Sequence, residues 1–300
     1  MRLKDLKNDT MAISKTILAL LIIVLLLAST STAYVIVFDN DSSTVGNGDS
    51  ITVNYYGTVN IQGVEKVFDT SMWEVALDNE TYPKTAWFTM RSQSAYSGFT
   101  FTVGRGQTIT GFDLGVRGMK EGQTKVIVIP PEQGYGLMDL SKVKSFDLHQ
   151  TAPVFVETTI SGFNSTFGSI PVTGLTLTHP TYKWPVTVLN VDSGNDRVLY
   201  QNAAVQGSEY KVYANNNPAI SSGWNIRIDS VDSTVNNGEG LIEFTHLVTE
   251  EDSWNIRGYT GNNMFVLIDV DLETGKAAMN YNSPLMGLTL TFHVTVEKIK

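Results

Sequence analysis

The chain has 300 residues, of which 42% are hydrophobic and 17% are charged, a composition typical of folded globular proteins. It contains no cysteine, which excludes disulfides, thiol catalysis and zinc–thiolate sites. The formal net charge of −9 argues against nucleic acid as a partner, because phosphate contacts require a basic surface. The four histidines are scattered and form no i,i+4 pair, so the sequence predicts no metal site.

The N-terminal 38 residues have the pattern of a membrane-targeting segment. Residues 1–15 form a basic tail, predicted to be cytosolic, and residues 16–38 are an uncharged run of 23 residues. A helix of that length would measure about 34 Å, enough to cross a hydrocarbon core of about 30 Å. Basic residues before the run and acidic ones after it predict a single-pass anchor in the cell membrane, with the C-terminal part extracytoplasmic. Secretion after signal cleavage near Ala33 is the alternative.

Residues 44–136 have the pattern of an antiparallel sheet with one short helix. Hydrophobic and polar residues alternate in 51–59, as in a half-buried strand, while the apolar run 125–129 predicts a strand buried on both faces. Between them, residues 111–119 place apolar side chains at i, i+4 and i+7, the spacing of one helical face. A short helix lying across an antiparallel sheet is an α+β arrangement.

Residues 137–285 differ from the rest of the chain. They are rich in Thr, Val, Asn and Gly and are interrupted by turn sequences, which predicts an all-β domain. The stretches 188–213 and 267–292 share an order of strand, acidic turn, second strand, asparagine, glycine and further strand. This similarity predicts two related units, about 150–213 and 214–285. Independent convergence of hairpin sequences is the alternative.

Several aromatic residues and one acid stand out once other motifs have been tested. No dinucleotide-binding, calcium-loop or serine-hydrolase motif fits, so the sequence predicts no cofactor. Aromatic residues on strands usually belong to the core. Asp69 does not fit a simple core, because a buried carboxylate needs a partner. The set comprises Tyr55, Phe68, Asp69, Phe99, Phe101, Phe112, Tyr135 and Phe292.

Four stretches in their chain order resemble the FKBP-type peptidyl-prolyl cis–trans isomerases. They are GDSITVNYYGTV, VFDTS, FTFTVGRGQTITGFDLGVRGMKEGQTKVIVIPPEQGYG and LTLTFHVTVEKIK. The resemblance covers about 48–136 and 286–300, and it implies an isomerase domain formed by residues 44–136 and 286–300. It implies an FKBP-like antiparallel sheet wrapped on a short helix, with a proline-binding pocket between them and a large all-β domain inserted before the last strand.

The resemblance also implies roles for individual residues. The catalytic set would be Tyr55, Phe68, Asp69, Phe99, Ile109, Phe112, Tyr135 and Phe292, and substrate-binding roles would fall to Thr108, Gly106 and Phe101. Phe112 would form the pocket floor, where the family more often has tryptophan. The Ile109 backbone N–H and the Tyr135 hydroxyl would hold the substrate chain. Asp69 would polarise the pocket and accept a hydrogen bond from Tyr55 or from substrate.

Residues 137–285 lie where archaeal and some bacterial relatives carry an insert-in-flap domain that binds unfolded chains. The run from Asn282 to Gly287 resembles the run with which that insert returns to the last strand. The resemblance thus implies an isomerase that assists the folding of extracytoplasmic proteins, with unfolded or proline-containing proteins as clients. A macrolide of the FK506 type is a further candidate ligand.

Two other functions remain open on the sequence. One is a chaperone or binding module with little or no catalysis on the same scaffold. The other is a surface structural or adhesion protein in which the β-rich residues 137–285 dominate. Turnover of a short X–Pro peptide would separate both from the isomerase.

Overall fold

The computed structural model describes residues 44–215, 217 and 222–300. These residues form mostly strands, which confirms the predicted β-rich character, and the α-helices among them are α1 (Trp73–Leu77), α2 (Thr110–Val116) and α3 (Ile160–Phe167). The strands are β1 (Ser50–Ile61), β2 (Val64–Thr70), β3 (Phe99–Thr102), β4 (Thr124–Ile129), β5 (Val143–Asp147), β6 (His149–Ala152), β7 (Phe155–Thr158), β8 (Thr176–Thr178), β9 (Pro185–Asp192), β10 (Arg197–Asn202), β11 (Glu209–Val212), β12 (Trp224–Asp232), β13 (Leu241–His246), β14 (Arg257–Thr260), β15 (Asn263–Asp271), β16 (Lys276–Asn280) and β17 (Leu290–Ile299).

The predicted anchor, residues 16–38, and the tail before it lie outside the described residues. Within the part of the chain that the structure describes, no helix is long and apolar enough to cross a membrane.

The first sheet joins the two ends of the described chain. Its order is β2-β1-β17-β4, all antiparallel, and β3 also pairs with β1. Strand β3 pairs with the first residues of β1 and β2 with the last ones, so both lie on one edge of β1. The segment 71–98 leaves the sheet between them. Strand β17, from the C-terminus, lies between β1 and β4.

Helix α2 packs closely on one face of this sheet because two of its residues have no side chain. A Cβ atom at Gly111 would lie 2.4 Å from Ile129, and one at Gly115 would lie 2.4 Å from Ile127, so only glycine allows this approach. Phe112 and Val116 are thereby buried against the sheet, whereas Leu114 is 48% exposed. The helix ends at Val116, earlier than the predicted helical face extends.

The exposure of two side chains corrects the prediction that residues 125–129 form a strand buried on both faces. Ile127 and Ile129 are buried beneath α2, but Val126 and Val128 are 52% and 63% exposed. The strand is therefore buried on one face only. β-branched residues favour strands on either face, so an unbroken apolar run did not require burial on both.

Residues 143–280 form three four-stranded sheets with the same connectivity. Each contains a hairpin, β9–β10, β12–β13 or β15–β16, preceded in sequence by the strand that pairs with its first arm. The fourth strand comes in each case from the start of the region: β7, β6 and β5 pair with β10, β13 and β16, respectively. Buried side chains of all three sheets belong to one hydrophobic core.

The hairpins that were matched in sequence occupy equivalent places in two of these sheets. Asp192 and Asp271 end the first arm of their hairpins, and each side chain accepts a backbone N–H from its turn. Asp232 does the same in the third hairpin. The arrangement therefore occurs three times, and a boundary between 213 and 214 would separate the paired strands β11 and β12. Duplication in the sequence itself stays a prediction.

The two ends of the 137–285 region lie side by side. The side chain of Asn282 accepts a hydrogen bond from the backbone N–H of Asp139 at 3.1 Å and donates one to its carbonyl at 2.9 Å. The backbone N–H of Gly287 donates to the carbonyl of Gly136 at 2.8 Å. These contacts form a neck through which the chain leaves the first sheet after β4 and returns to it as β17.

Candidate active site

A cavity of about 180 Å³ opens between α2 and the first sheet. Its walls come from β1, β2, β3, β17 and the two loops that flank α2 and β4. The lining residues are Tyr55, Phe68, Asp69, Phe99, Gln107, Thr108, Ile109, Phe112, Tyr135 and Phe292. Larger concavities, of about 320, 780, 410 and 450 Å³, lie elsewhere on the described residues, but none of these is lined by a phenylalanine ring.

The floor and walls of the cavity are aromatic rings in edge-to-face contact. The Phe112 ring centroid lies 5.8 Å from that of Tyr55 and 5.0 Å from that of Phe292, at interplanar angles of 72° and 76°. Phe68 meets Phe292 at 5.4 Å and 90°. Such pairs are the preferred arrangement of aromatic quadrupoles, so the rings hold one another in place.

Gly57 makes room for this cluster. A Cβ atom at that position would lie 2.5 Å from the Phe68 ring and 2.8 Å from the Phe292 ring. The strand β1 can therefore pass directly behind the rings only because residue 57 has no side chain.

Asp69 is the one carboxylate of the cavity wall, and it has two side-chain partners. The Tyr55 hydroxyl donates to Oδ2 at 2.5 Å, and the Arg91 guanidinium lies 3.2 Å from Oδ1. Arg91 also donates to the carbonyl of Thr70, the residue after Asp69. The carboxylate is thus fixed in one orientation at the edge of the aromatic floor.

Both tyrosines of the cavity remain protonated donors over the physiological pH range. Burial raises the pKa of Tyr55, and the neighbouring Asp69 carboxylate raises it further. Burial, followed by Asp69, also raises the pKa of Tyr135. An ionised phenolate is therefore not available, and the site offers hydroxyl groups as hydrogen-bond donors.

Two donors of the cavity have no protein partner within the described residues. They are the backbone N–H of Ile109, at the start of α2, and the hydroxyl of Tyr135. Tyr135 is 44% exposed, so its hydroxyl is accessible from solvent. Both groups can donate to the carbonyl oxygens of a bound chain.

All eight residues predicted as catalytic line this cavity, as does Thr108. Phe101 and Gly106 do not. Phe101 is only 3% exposed and packs behind Phe112, with ring centroids 5.8 Å apart, because β3 carries it beneath the helix. Gly106 lies at the tip of a turn with a φ of +66°, where no atom lies within 4 Å of the position of a Cβ.

Gln107 and Arg91 are residues of the site that the sequence did not indicate. Gln107 lines the cavity and its side chain accepts the backbone N–H of Thr102 at 2.7 Å, which holds the loop before α2. Arg91 lies in the irregular segment 71–98, where no sequence pattern predicts which side chain returns to Asp69. In the described part of the chain, no cluster of three or more potential metal ligands is present.

Comparisons with known proteins agree with this geometry. Residues 41–152 match the family described as FKBP-type peptidyl-prolyl cis-trans isomerase. The chain is 39% identical over 95 residues to the short-type peptidyl-prolyl cis-trans isomerase of Methanocaldococcus jannaschii, covering 32% of this chain and 53% of that protein. It is 36% identical over 101 residues to FK506-binding protein 5 of Dictyostelium discoideum, covering 33% of this chain and 5% of that protein.

A third relative is FK506-binding protein 2B of Rhizopus delemar, 35% identical over 92 residues, which are 30% of this chain and 32% of that protein. The chain thus spans about half the length, or less, of these curated relatives. The matched residues include β1 to β4 and α2 and stop before β17, whose Phe292 completes the cavity. The chain therefore contains an FKBP-type peptidyl-prolyl cis–trans isomerase domain.

Proposed function

We propose that the protein catalyses cis–trans isomerisation of X–Pro bonds in the cavity around Phe112. The observation that carries this proposal is a small aromatic cup that holds one oriented carboxylate and two unpartnered donors. Among the described residues, this lining includes no serine or cysteine nucleophile and no cluster of metal ligands. It therefore suits a reaction in which a bound substrate rotates about one of its bonds and no covalent bond is broken.

Rotation about a prolyl bond needs only that kind of site. The barrier is about 18–20 kcal/mol and no covalent bond is broken. A site accelerates the rotation when it binds the twisted amide better than either planar form. The twisted amide has lost resonance and is less dipolar, so a dry aromatic cup stabilises it relative to water.

Each residue of the cavity has a separate role in binding the substrate. Phe112 supports the prolyl ring from below, while Phe292 and Tyr55 enclose it. The N–H of Ile109 and the hydroxyl of Tyr135 hold the carbonyl groups of the substrate chain. Asp69, fixed by Tyr55 and Arg91, places a negative charge beside the rotating amide and accepts a hydrogen bond from Tyr55.

We propose further that residues 137–285 hold unfolded, proline-containing proteins near this cavity. The support is a set of exposed apolar side chains that begins beside the site: Leu137 and Leu140, just after Tyr135, are 64% and 76% exposed, and Ile170 is 74% exposed. Exposed apolar residues suit extended chains that have not yet buried their own. The clients would be extracytoplasmic if residues 16–38 form the predicted anchor, and an FK506-type macrolide would occupy the cavity itself.

A protease-coupled assay on a short X–Pro peptide tests the catalytic proposal with the full chain. Tyr135→Phe removes a donor without changing packing, so activity should fall about 10-fold. Tyr56→Phe is the matched control, because Tyr56 is the next residue on β1 after Tyr55 and stacks on His293 at 4.3 Å, outside the cavity. It should keep wild-type activity. A folded wild-type chain without activity would overturn the proposal.

A further inference from the structure

The sheet β5-β16-β15-β14 is buried on both of its faces. One face belongs to the large core of the 137–285 region, through residues such as Leu267 and Met279. The other face carries Val266, Ile268 and Ala278, which are 0%, 3% and 6% exposed. Something outside the three-sheet core must therefore cover this second face.

The cover is a pair of tryptophans from different parts of the chain. Trp87 comes from the segment 71–98 between β2 and β3, and Trp254 comes from the loop before β14. Their ring centroids are 6.4 Å apart at an interplanar angle of 67°, and both rings pack against the second face as well as the core of the first sheet. We call this contact the tryptophan seam.

Hydrogen bonds at the same boundary hold the two regions together beside the seam. The side-chain amide of Gln62 donates to the carbonyl of Glu250 at 2.8 Å, and the Lys66 ammonium donates to the side chain of Asn255 at 2.7 Å. The 137–285 region is thus attached to the first sheet by more than its neck.

The seam is connected to the cavity by only four residues of chain. Arg91, which bonds to Asp69, follows Trp87 closely, and four residues span at most about 14 Å. The backbone N–H of Arg91 donates to the Tyr96 hydroxyl at 3.0 Å, and its guanidinium lies over the Tyr96 ring at 4.8 Å. Residues 87–91 therefore link the tryptophan seam to the residue that orients the carboxylate.

We propose that Trp87 is a positioning residue for the isomerase site. Seated in the tryptophan seam, it fixes residues 87–91, so that Arg91 holds Asp69 at the cavity wall. The 137–285 region then supports the site as well as clients, because its sheet forms one side of the seam. This inference rests on the proposed isomerase function of the cavity.

The test compares kcat on a short X–Pro peptide for seam variants of the full chain. Trp87→Ala should lower kcat about 5-fold or more, as should Arg91→Ala, and the double variant should be no slower than Arg91→Ala alone. Trp87→Phe should keep wild-type kcat, because the indole Nε1 is buried without a hydrogen-bond partner among the described residues and phenylalanine keeps an aromatic ring in the seam. Lys66→Met is the matched control, since it weakens the same boundary without touching residues 87–91, and it should keep wild-type kcat.

The possible outcomes distinguish the positioning role of Trp87 from the isomerase function of the cavity. Wild-type kcat in a folded Trp87→Ala chain, or losses that multiply in the double variant, would overturn the positioning role and leave the isomerase function standing. If Trp87→Ala does not fold, Trp254→Ala opens the seam from its other side and should lower kcat by the same factor; an unchanged kcat would overturn the role. An inactive but folded wild-type chain would instead overturn the proposed function itself.

Discussion

His246 should make the stability of the 137–285 region sensitive to acid. The residue ends β13 in the large core, where it is 3% exposed, and its Nδ1 accepts a hydrogen bond from Nε1 of Trp224 at 2.8 Å. An indole N–H can only donate, so the imidazole proton lies on Nε2, which has no partner among the described residues. Burial lowers the pKa of His246 from 6.5 to about 4, because the charged ring would lose its hydration.

The lowered pKa of His246 determines the direction and the size of the change in the free energy of unfolding with pH. Below pH 6.5 the unfolded chain takes up a proton at His246 that the folded chain does not, so the free energy of unfolding falls as the pH falls toward 4. The difference between 6.5 and about 4 corresponds to about 3 kcal/mol in total. About 2 kcal/mol of this is lost between pH 8 and pH 5.

His246→Asn removes the titrating ring and keeps an acceptor for Trp224. The chain contains a precedent, because Asn202 at the end of β10 accepts a hydrogen bond from Nε1 of Trp184 at 3.0 Å. The free energy of unfolding is measured in urea by tryptophan fluorescence at pH 8 and at pH 5. Between these two pH values it should fall by about 2 kcal/mol less in the variant than in the wild type. Equal losses in both proteins would refute this reasoning.

Three further substitutions test the packing and the neck. Phe112→Ala should lower the free energy of unfolding by about 3–5 kcal/mol, because the ring is 3% exposed, and a cost below about 1 kcal/mol in urea unfolding would contradict its place as the floor. Gly57→Ala should weaken peptide binding in a fluorescence titration, since the new Cβ would lie 2.5 Å from the Phe68 ring; unchanged affinity would argue against a tightly packed cup. Asn282→Ala should cost about 1–2 kcal/mol in thermal unfolding, because it removes two hydrogen bonds of the neck and leaves the backbone N–H of Asp139 without its partner, whereas no loss would show that the neck contributes little.

The first sheet and most of its cavity could be predicted from the sequence, because local pattern and the order of motifs carry that information. Alternation marks β1, and the resemblance assigned Tyr55, Asp69 and Phe112 to one pocket. Pattern could not tell Phe99, on the cavity wall, from Phe101, in the core, because both point to the same face of β3. Only the position of α2 above the sheet separates them.

The contacts that sequence reasoning missed join residues far apart in the chain. Strands β5, β6 and β7 are consecutive, yet each pairs with a hairpin of a different sheet, an arrangement that the repeated hairpin sequences do not indicate. Trp87 and Trp254 lie in irregular segments, where no sequence pattern pairs them. Non-local pairings of this kind have no periodic signal, and their partners are set by tertiary packing.

NMR exchange spectroscopy on a proline peptide tests the central claim most directly, because it observes both isomers at equilibrium without a coupling enzyme. The uncatalysed exchange takes tens of seconds. A small molar fraction of the full chain should bring cis–trans exchange into the sub-second range, and the same amount of Asp69→Leu should be slower than the wild type by about 10-fold or more. Exchange at the uncatalysed rate with the folded wild-type chain, or equal acceleration by Asp69→Leu, would contradict the assignment of this cavity as a prolyl isomerase site.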